Sequence, residues 1–449
     1  MGNQARSTGV AVTGTAPGAL PLLGHALTLL RDPLRFIGSL AEHGDLVHVR
    51  FGPLRAVVVC DPELAHQVIT NERVFDKEGP LWRRAREVEG DGLITTARAG
   101  HRRRRRMVQP AFHRAKMPHY ATIMSDVLAD ETTAWQDGEI VPVSAFALRL
   151  TSETTARVMF TDSADPEAVA GIRAALPDLV GGVFRRMLSP APVNLLPTPA
   201  NRAFVRARKR LQDSVERLIA GYRTAGERDD MMAVLLAAEH DENGTTDDEE
   251  MSALVTGLFL AGTETTSSSV SWTMHMLAEH PDVQERLRRE AESVLGDRVP
   301  AYEDLIHLPY TRAVVTEVLR LYPPAWLLAR VTTSRTTLGG HVLAAGMNVI
   351  YSPYLVQRRP QQYPDPERFD PGRWLNAASG CPGSFLTFGE GARKCAGDTF
   401  ALTQLMVVAT GLVRRWELRP VPGPRKRPRA RAVLHPRRLR LRLDRRGAA

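Results

Sequence analysis

The residues best placed to do chemistry lie in FGEGARKCAG, Phe388–Gly397. Cys395, one of three cysteines with Cys60 and Cys381, comes directly after Lys394 and two residues after Arg393, between Gly391 and Gly397. Neighbouring cations lower a thiol pKa, and so does the positive end of a helix, expected here to begin near Asp398. The glycines permit a backbone that wraps closely around a sulfur and a flat ligand. A lone cysteine is usually a small buried hydrophobe, and these neighbours count against that reading. Zinc would need three further ligands at suitable spacing, and none is evident. A cysteine nucleophile would need a partner His that spacing does not identify. A thiolate ligating haem iron fits the surroundings better.

Three other groups stand out. In LFLAGTETTSSSV (258–270) an acid, Glu264, follows an apolar run, where burial is costly without a partner or a task. Thr265 can bond the carbonyl of Ala261 one turn back and loosen the helix, and Gly262 lets the helix wall approach a flat ligand. The plainer reading of Thr-Glu-Thr-Thr is a solvated helix face. Glu317 and Arg320, three apart, share a helical face. The run Arg102–Arg106 follows His101 and reads mostly as a solvated basic face.

Together these segments resemble the cytochrome P450 family. Phe388-x-x-Gly391-x-Arg393-x-Cys395-x-Gly397 matches its haem-binding signature without a mismatch. Glu317-x-x-Arg320 looks like its invariant helix pair, and Pro366-Glu367-Arg368-Phe369 resembles the segment whose arginine joins that pair. Ala261–Thr266 is similar to the oxygen-activation motif, and His101-x-x-x-Arg105 with Pro110-x-Phe112 to the haem-propionate helix. All occur in the family's order.

The resemblance implies haem b with Cys395 as axial thiolate, and Phe388 and Gly397 beside it. Bidentate arginine suits carboxylates, and by resemblance His101, Arg105, Arg330 and Arg393 hold the propionates. Glu264 and Thr265 become the catalytic route for protons to dioxygen. Glu317, Arg320 and Arg368 become a structural triad. Trp82, Leu93, Ile94, Leu260, Ala261, Trp326 and Leu327 would face the substrate, although any one of them could be plain core. All are apolar, so a hydrocarbon-like molecule held by shape is the simplest substrate. Electrons would come from a separate ferredoxin and ferredoxin reductase using NAD(P)H, the acidic donor docking on a basic patch.

A narrower likeness, carried by PLLGHALTLLRDPLRF, FDKEGPLW, LYPPAW and IYSPYLVQRRPQQYPDPERFDPGRW, is to members that oxidise sesquiterpene hydrocarbons of the pentalenene type, methyl to alcohol to aldehyde, in terpenoid antibiotic biosynthesis. The alternatives are another hydrophobic substrate (polyketide, steroid or fatty acid), a peroxide-driven peroxygenase, and a non-catalytic haem-binding protein.

The positioning elements can be read locally. LVHVRFGPLRAVVVC (46–60) reads as two strands around Gly52-Pro53. Asp61-Pro62 opens a helix. A long helix begins near Asp247–Glu250 and stops before Pro281, another spans about 309–321, and a last one starts near Asp398. The expected fold is mainly α with minor β: the family's triangular helical body with small N- and C-terminal sheet regions, a single domain over 1–449 with residues 1–20 as a flexible lead. The net charge of +9 is local, since residues 421–449 carry a balance of +10 and the rest sums to −1. Alternation of Leu439, Leu441 and Leu443 with Arg440 and Arg442 points to a half-buried strand rather than a nucleic-acid surface. No secretory signal, myristoylation pattern or bilayer-length apolar run is present. The widely spaced, odd-numbered cysteines suit a reducing compartment, so the expectation is a cytoplasmic protein without a membrane anchor or nucleic-acid partner.

Overall fold

Continuous apolar runs build the first sheet. In the computed structural model, which describes residues 10–160, 165–188, 191–224, 230–241, 248–375, 383–423 and 428–447, Leu46–Phe51 pairs antiparallel with Leu54–Val59, Leu46 opposite Val59. Ala56–Val59 then run parallel to Asn348–Tyr351, with Val57 opposite Val349. The full order is Thr13–Thr15, Leu46–Phe51, Leu54–Val59, Asn348–Tyr351, Leu328–Thr332, Phe75–Asp76. Val57, Val58 and Val349 are almost wholly buried, as expected for strands covered on both faces. This sheet belongs to one compact unit, Met1–Trp82 with Ala325–Arg368 and Ala378–Cys395. The lead is ordered earlier than expected: Thr13–Thr15 adds to the sheet edge, pairing parallel with Leu46–His48. Residues 1–9 and Cys381 lie outside the described residues. Asp61 caps the next helix, Pro62–Thr70, accepting from the N–H groups of Glu63 and Leu64 at 3.0 Å.

The second unit, Arg83–Pro324 with Phe369–Ala377 and Ala396–Ala449, is largely helical. Its longest helix, Asp248–Glu279, starts with Asp248, Glu249 and Glu250, which complement the helix dipole. Thr263, Ser267, Ser269, Ser271 and Thr273 are buried along it. Ser271 and Thr273 satisfy their hydroxyls on carbonyls one turn back, at 2.8 Å. Short side chains of this kind let helix Val143–Met159 pack closely, and Thr151 Oγ1 donates across to the carbonyl of Thr263 at 3.0 Å.

The basic C-terminal segment is a strand. Arg440–Arg445 lies between Trp416–Pro420 and Glu139–Pro142, with Leu441 and Leu443 buried and Arg440 and Arg442 exposed. A neighbouring hairpin, Pro428–Ala430 with Leu434–Pro436, is tied to the long helix because the carbonyl of Leu434 accepts from Ser268 Oγ and Trp272 Nε1. Burial, and then the charge of Arg431, push the pKa of His435 in that hairpin down to about 4. The folded state therefore favours neutral His435. Its contribution is fully present above the unfolded value of about 6.5 and is lost as pH falls toward 4, the unfolded chain binding the extra proton. His435→Gln should flatten that limb of a stability-against-pH curve, by at most about 3 kcal/mol at its acid end.

Candidate active site

In the first unit the cysteine loop is closed and pinned on two sides. The N–H of Cys395 donates to the carbonyl of Phe388 at 2.7 Å. Glu390 accepts from the N–H of Gly383 at 3.1 Å and pairs with Nδ1 of His66 at 2.5 Å, tying the loop to helix Pro62–Thr70. Gly391 has φ +66° and sits so close to that helix that a Cβ would lie 3.1 Å from Cα of Thr70. Both facts demand glycine. On the other side Arg393, its side chain 2% exposed, bridges Glu72 and Asp76 at 3.1 Å each. Cys395 itself is exposed.

Burial pushes the Cys60 thiol up to about 12, so it remains protonated at neutral pH. Among the described residues no cluster of three or more His, Cys, Asp or Glu groups could hold a metal ion.

Arg330, on strand Leu328–Thr332, is buried. Its Nη1 donates to the carbonyl of Ala329 at 3.0 Å, but its Nε meets no acceptor among the described residues. Burial, then the charge of Arg330, pull Arg393 below the ordinary arginine pKa, while Asp76 and Glu72 oppose them. A buried guanidinium with an unmet donor calls for an anion.

Trp82 is half-buried, its indole N–H donating to the carbonyl of Ala329 at 3.1 Å with Lys77 over the ring. Leu327 is half-buried. Trp326 is 2% exposed.

In the second unit His101 is buried on helix Arg98–Val108, and Arg105 follows one turn later. The rest of that basic run is less solvated than its composition implies. Arg103 pairs with Glu250 at 2.5 Å and Arg104 with Asp91 at 3.1 Å, while Arg102 and Arg106 are exposed. Gly397 is the N-cap of helix Asp398–Arg415 and is required by close approach, since a Cβ there would stand 3.1 Å from the ring of Phe112. Thr265 Oγ1 donates to the carbonyl of Ala261 at 2.6 Å, as the spacing predicts. Glu264, Leu260, Ala261, Leu93 and Ile94 are half-buried. Gly262 serves helix packing: a Cβ there would meet Oγ1 of Thr155 at 3.3 Å.

Glu317 and Arg320 are fully buried on helix Pro309–Leu321. Arg320 reaches the Glu317 carboxylate through Nε at 2.8 Å and Nη2 at 2.9 Å. The third cation is Arg373, not Arg368. Arg373 Nε lies 3.3 Å from Glu317, and Trp374 Nε1 (2.8 Å) and the N–H of Asp370 (3.0 Å) donate as well. The reason is the tight turn Pro371–Trp374, which lays Arg373 and Trp374 against the helix, whereas Arg368 is exposed. The repeated pattern in PERFDPGRW offers two arginines, and nothing local distinguishes them.

Residues 15–443 match the Cytochrome P450 family model. The chain is a cytochrome P450. Among curated relatives of this P450, cyclooctatin synthase of Streptomyces melanosporofaciens is 44% identical over 425 residues, covering 93% of each chain. Cyclooctat-9-en-7-ol 5-monooxygenase of the same organism is 42% identical, covering 92% of this chain and 90% of its own. Pentalenene oxygenase of Streptomyces avermitilis is 40% identical, covering 96% and 97%. Cytochromes P450 are monooxygenases whose iron haem is held by a cysteine thiolate, which act on hydrophobic substrates with dioxygen and redox partners. The residues present in this P450 fit that group: an exposed cysteine on a pinned loop, and a buried arginine whose Nε wants an anion.

Proposed function

We propose that this P450 oxidises an apolar terpenoid, with Cys395 as its iron ligand. The pinned cysteine loop is the observation that carries the assignment, because Glu390 and Arg393 hold Cys395 in one place while leaving it exposed. Arg330 would take a haem propionate on its unmet Nε, with Arg393, His101 and Arg105 as further partners. Phe388 and Gly397 flank the ligand. Bound haem supplies the chemistry that activates dioxygen, and an anionic sulfur favours O–O cleavage.

Proton supply falls to Glu264 and Thr265. With its own proton committed to the carbonyl of Ala261, the Thr265 oxygen remains an acceptor. Glu264, at the next position, is the titratable group that can be refilled. A peroxygenase or a passive haem carrier would have no use for this pair. Thr265→Ala should lower product formed per NAD(P)H consumed by about a hundredfold, the low end for a positioned proton-transfer group. An unchanged ratio would remove Thr265 from the route.

The relatives' names place oxidation on cyclooctat-9-en-7-ol and pentalenene. Trp82, Leu93, Ile94, Leu260, Ala261 and Leu327 are apolar and only partly buried, which suits walls that hold a terpenoid by shape. Trp326, at 2% exposure, suits a core role better. Within this class we propose a pentalenene-like sesquiterpene hydrocarbon. A ferredoxin with its reductase is the proposed donor, and a groove of about 640 Å³ lined by Arg106, Gln109, Pro110, His113, Ala115 and Lys116 supports docking of an acidic protein. The test is a screen of terpene hydrocarbons for the spin-state change on binding. Products of the best binder are then identified with ferredoxin, reductase and NAD(P)H, against peroxide alone. Turnover only with peroxide, or no response to any terpenoid, would overturn the reading.

A further inference from the structure

Residues 75–82 run alongside the strand that carries Arg330. Phe75 pairs with Thr332 and Asp76 with Val331. Beyond the paired residues, Gly79 has φ +86° and comes so close that a Cβ there would stand 2.7 Å from Cγ2 of Val331. Three residues on, Trp82 returns to the same strand. Its indole N–H donates to the carbonyl of Ala329 at 3.1 Å, and Nζ of Lys77 lies 4.6 Å over the ring.

That carbonyl has a second donor. Arg330 Nη1 meets it at 3.0 Å, so the indole and the guanidinium share one oxygen, which carries two lone pairs. The guanidinium carbon also lies 5.7 Å from the centre of the Tyr351 ring. A guanidinium is a rigid planar fork, so fixing Nη1 fixes the direction of Nε. Arg330 is 3% exposed, and that Nε meets no acceptor among the described residues. Glu72 and Asp76, the acids on the neighbouring segment, pair with Arg393.

We infer that Trp82 is a positioning residue for the haem: by holding the Ala329 carbonyl, its indole N–H sets Arg330 Nε to receive a propionate. The inference rests on the reading that Arg330 takes a propionate, and it gives one side chain of the substrate wall a second task. The coupling is reciprocal. Loss of the indole N–H loosens the haem, and an unfilled Arg330 leaves Trp82 less firmly placed beside the substrate. A side chain that only lines the wall would have neither effect.

The test is a double-mutant cycle on the rate of haem transfer from the full haem-loaded protein to excess apomyoglobin. Arg330→Gln should speed haem loss about tenfold, as for a lost hydrogen bond between charged groups. Trp82→Phe keeps an apolar ring and removes the N–H, and it should speed haem loss about threefold. Placed on top of Arg330→Gln it should add nothing, because no guanidinium is left to position. If circular dichroism shows that Trp82→Phe does not fold, Trp82→Leu serves with the same expectation. Haem loss unchanged by Arg330→Gln would overturn the propionate reading, and this inference with it. If Arg330→Gln speeds haem loss but Trp82→Phe does not, or speeds it equally in both backgrounds, the inference alone falls.

Discussion

Cys395→His should abolish oxygenation completely while leaving a protein able to take up haem. A neutral imidazole could hold haem iron, but it lacks the negative charge that favours O–O cleavage. The reduced protein under carbon monoxide should shift from a thiolate-type to a histidine-type spectrum, and product should drop to the level of haem-free protein. The loop should survive the change, because the Cys395 N–H, Glu390 and Arg393 anchor it. Cys60→Ser is the matched control. Its thiol is buried and held protonated, so it should retain the thiolate spectrum and full turnover. A Cys395→His protein that still hydroxylates, or a Cys60→Ser protein that loses the thiolate spectrum, would refute the ligand assignment.

Glu317→Ala should be the most destabilising single change, at roughly 3–5 kcal/mol. Five donors converge on this one carboxylate: two from Arg320 and one each from Arg373, Trp374 and the backbone of Asp370. Removing it strips the fully buried Arg320 of the carboxylate that it meets through two nitrogens, with Arg373 close by. The cost is that of breaking a buried ion pair more than that of one lost bond. Arg368→Ala should cost far less, because Arg368 is exposed and is not among the donors to Glu317. Thermal denaturation of both variants, followed by circular dichroism and haem loss, checks the contrast. Equal losses would restore Arg368 to the triad.

These two sites also show where local reading ends. The Cys395 motif, the bond from Thr265 to Ala261 and the Glu317–Arg320 pair span ten residues or fewer. Helix geometry and turn chemistry settle such distances without reference to the rest of the chain. The same holds for Pro62–Thr70, Pro309–Leu321 and the alternating strand Arg440–Arg445, whose caps, prolines and periodicity are written in place. Arg373 was missed because two arginines five residues apart are equivalent until a turn chooses one. His66, Glu72 and Asp76 were missed because each meets the cysteine loop across more than three hundred residues.

The sequence by itself determined the family, the glycine-rich cysteine loop, the order of its helices and the adjacency of Glu264 and Thr265, all matters of composition and short spacing. Tertiary structure alone decided which cation completes the Glu317 cluster, what pins Cys395, and that Gly262 makes room for Thr155. It also decided that Arg103 holds Glu250 instead of facing water. Those outcomes depend on which distant surfaces are buried together, and burial sets the cost of leaving a charge or donor unmet.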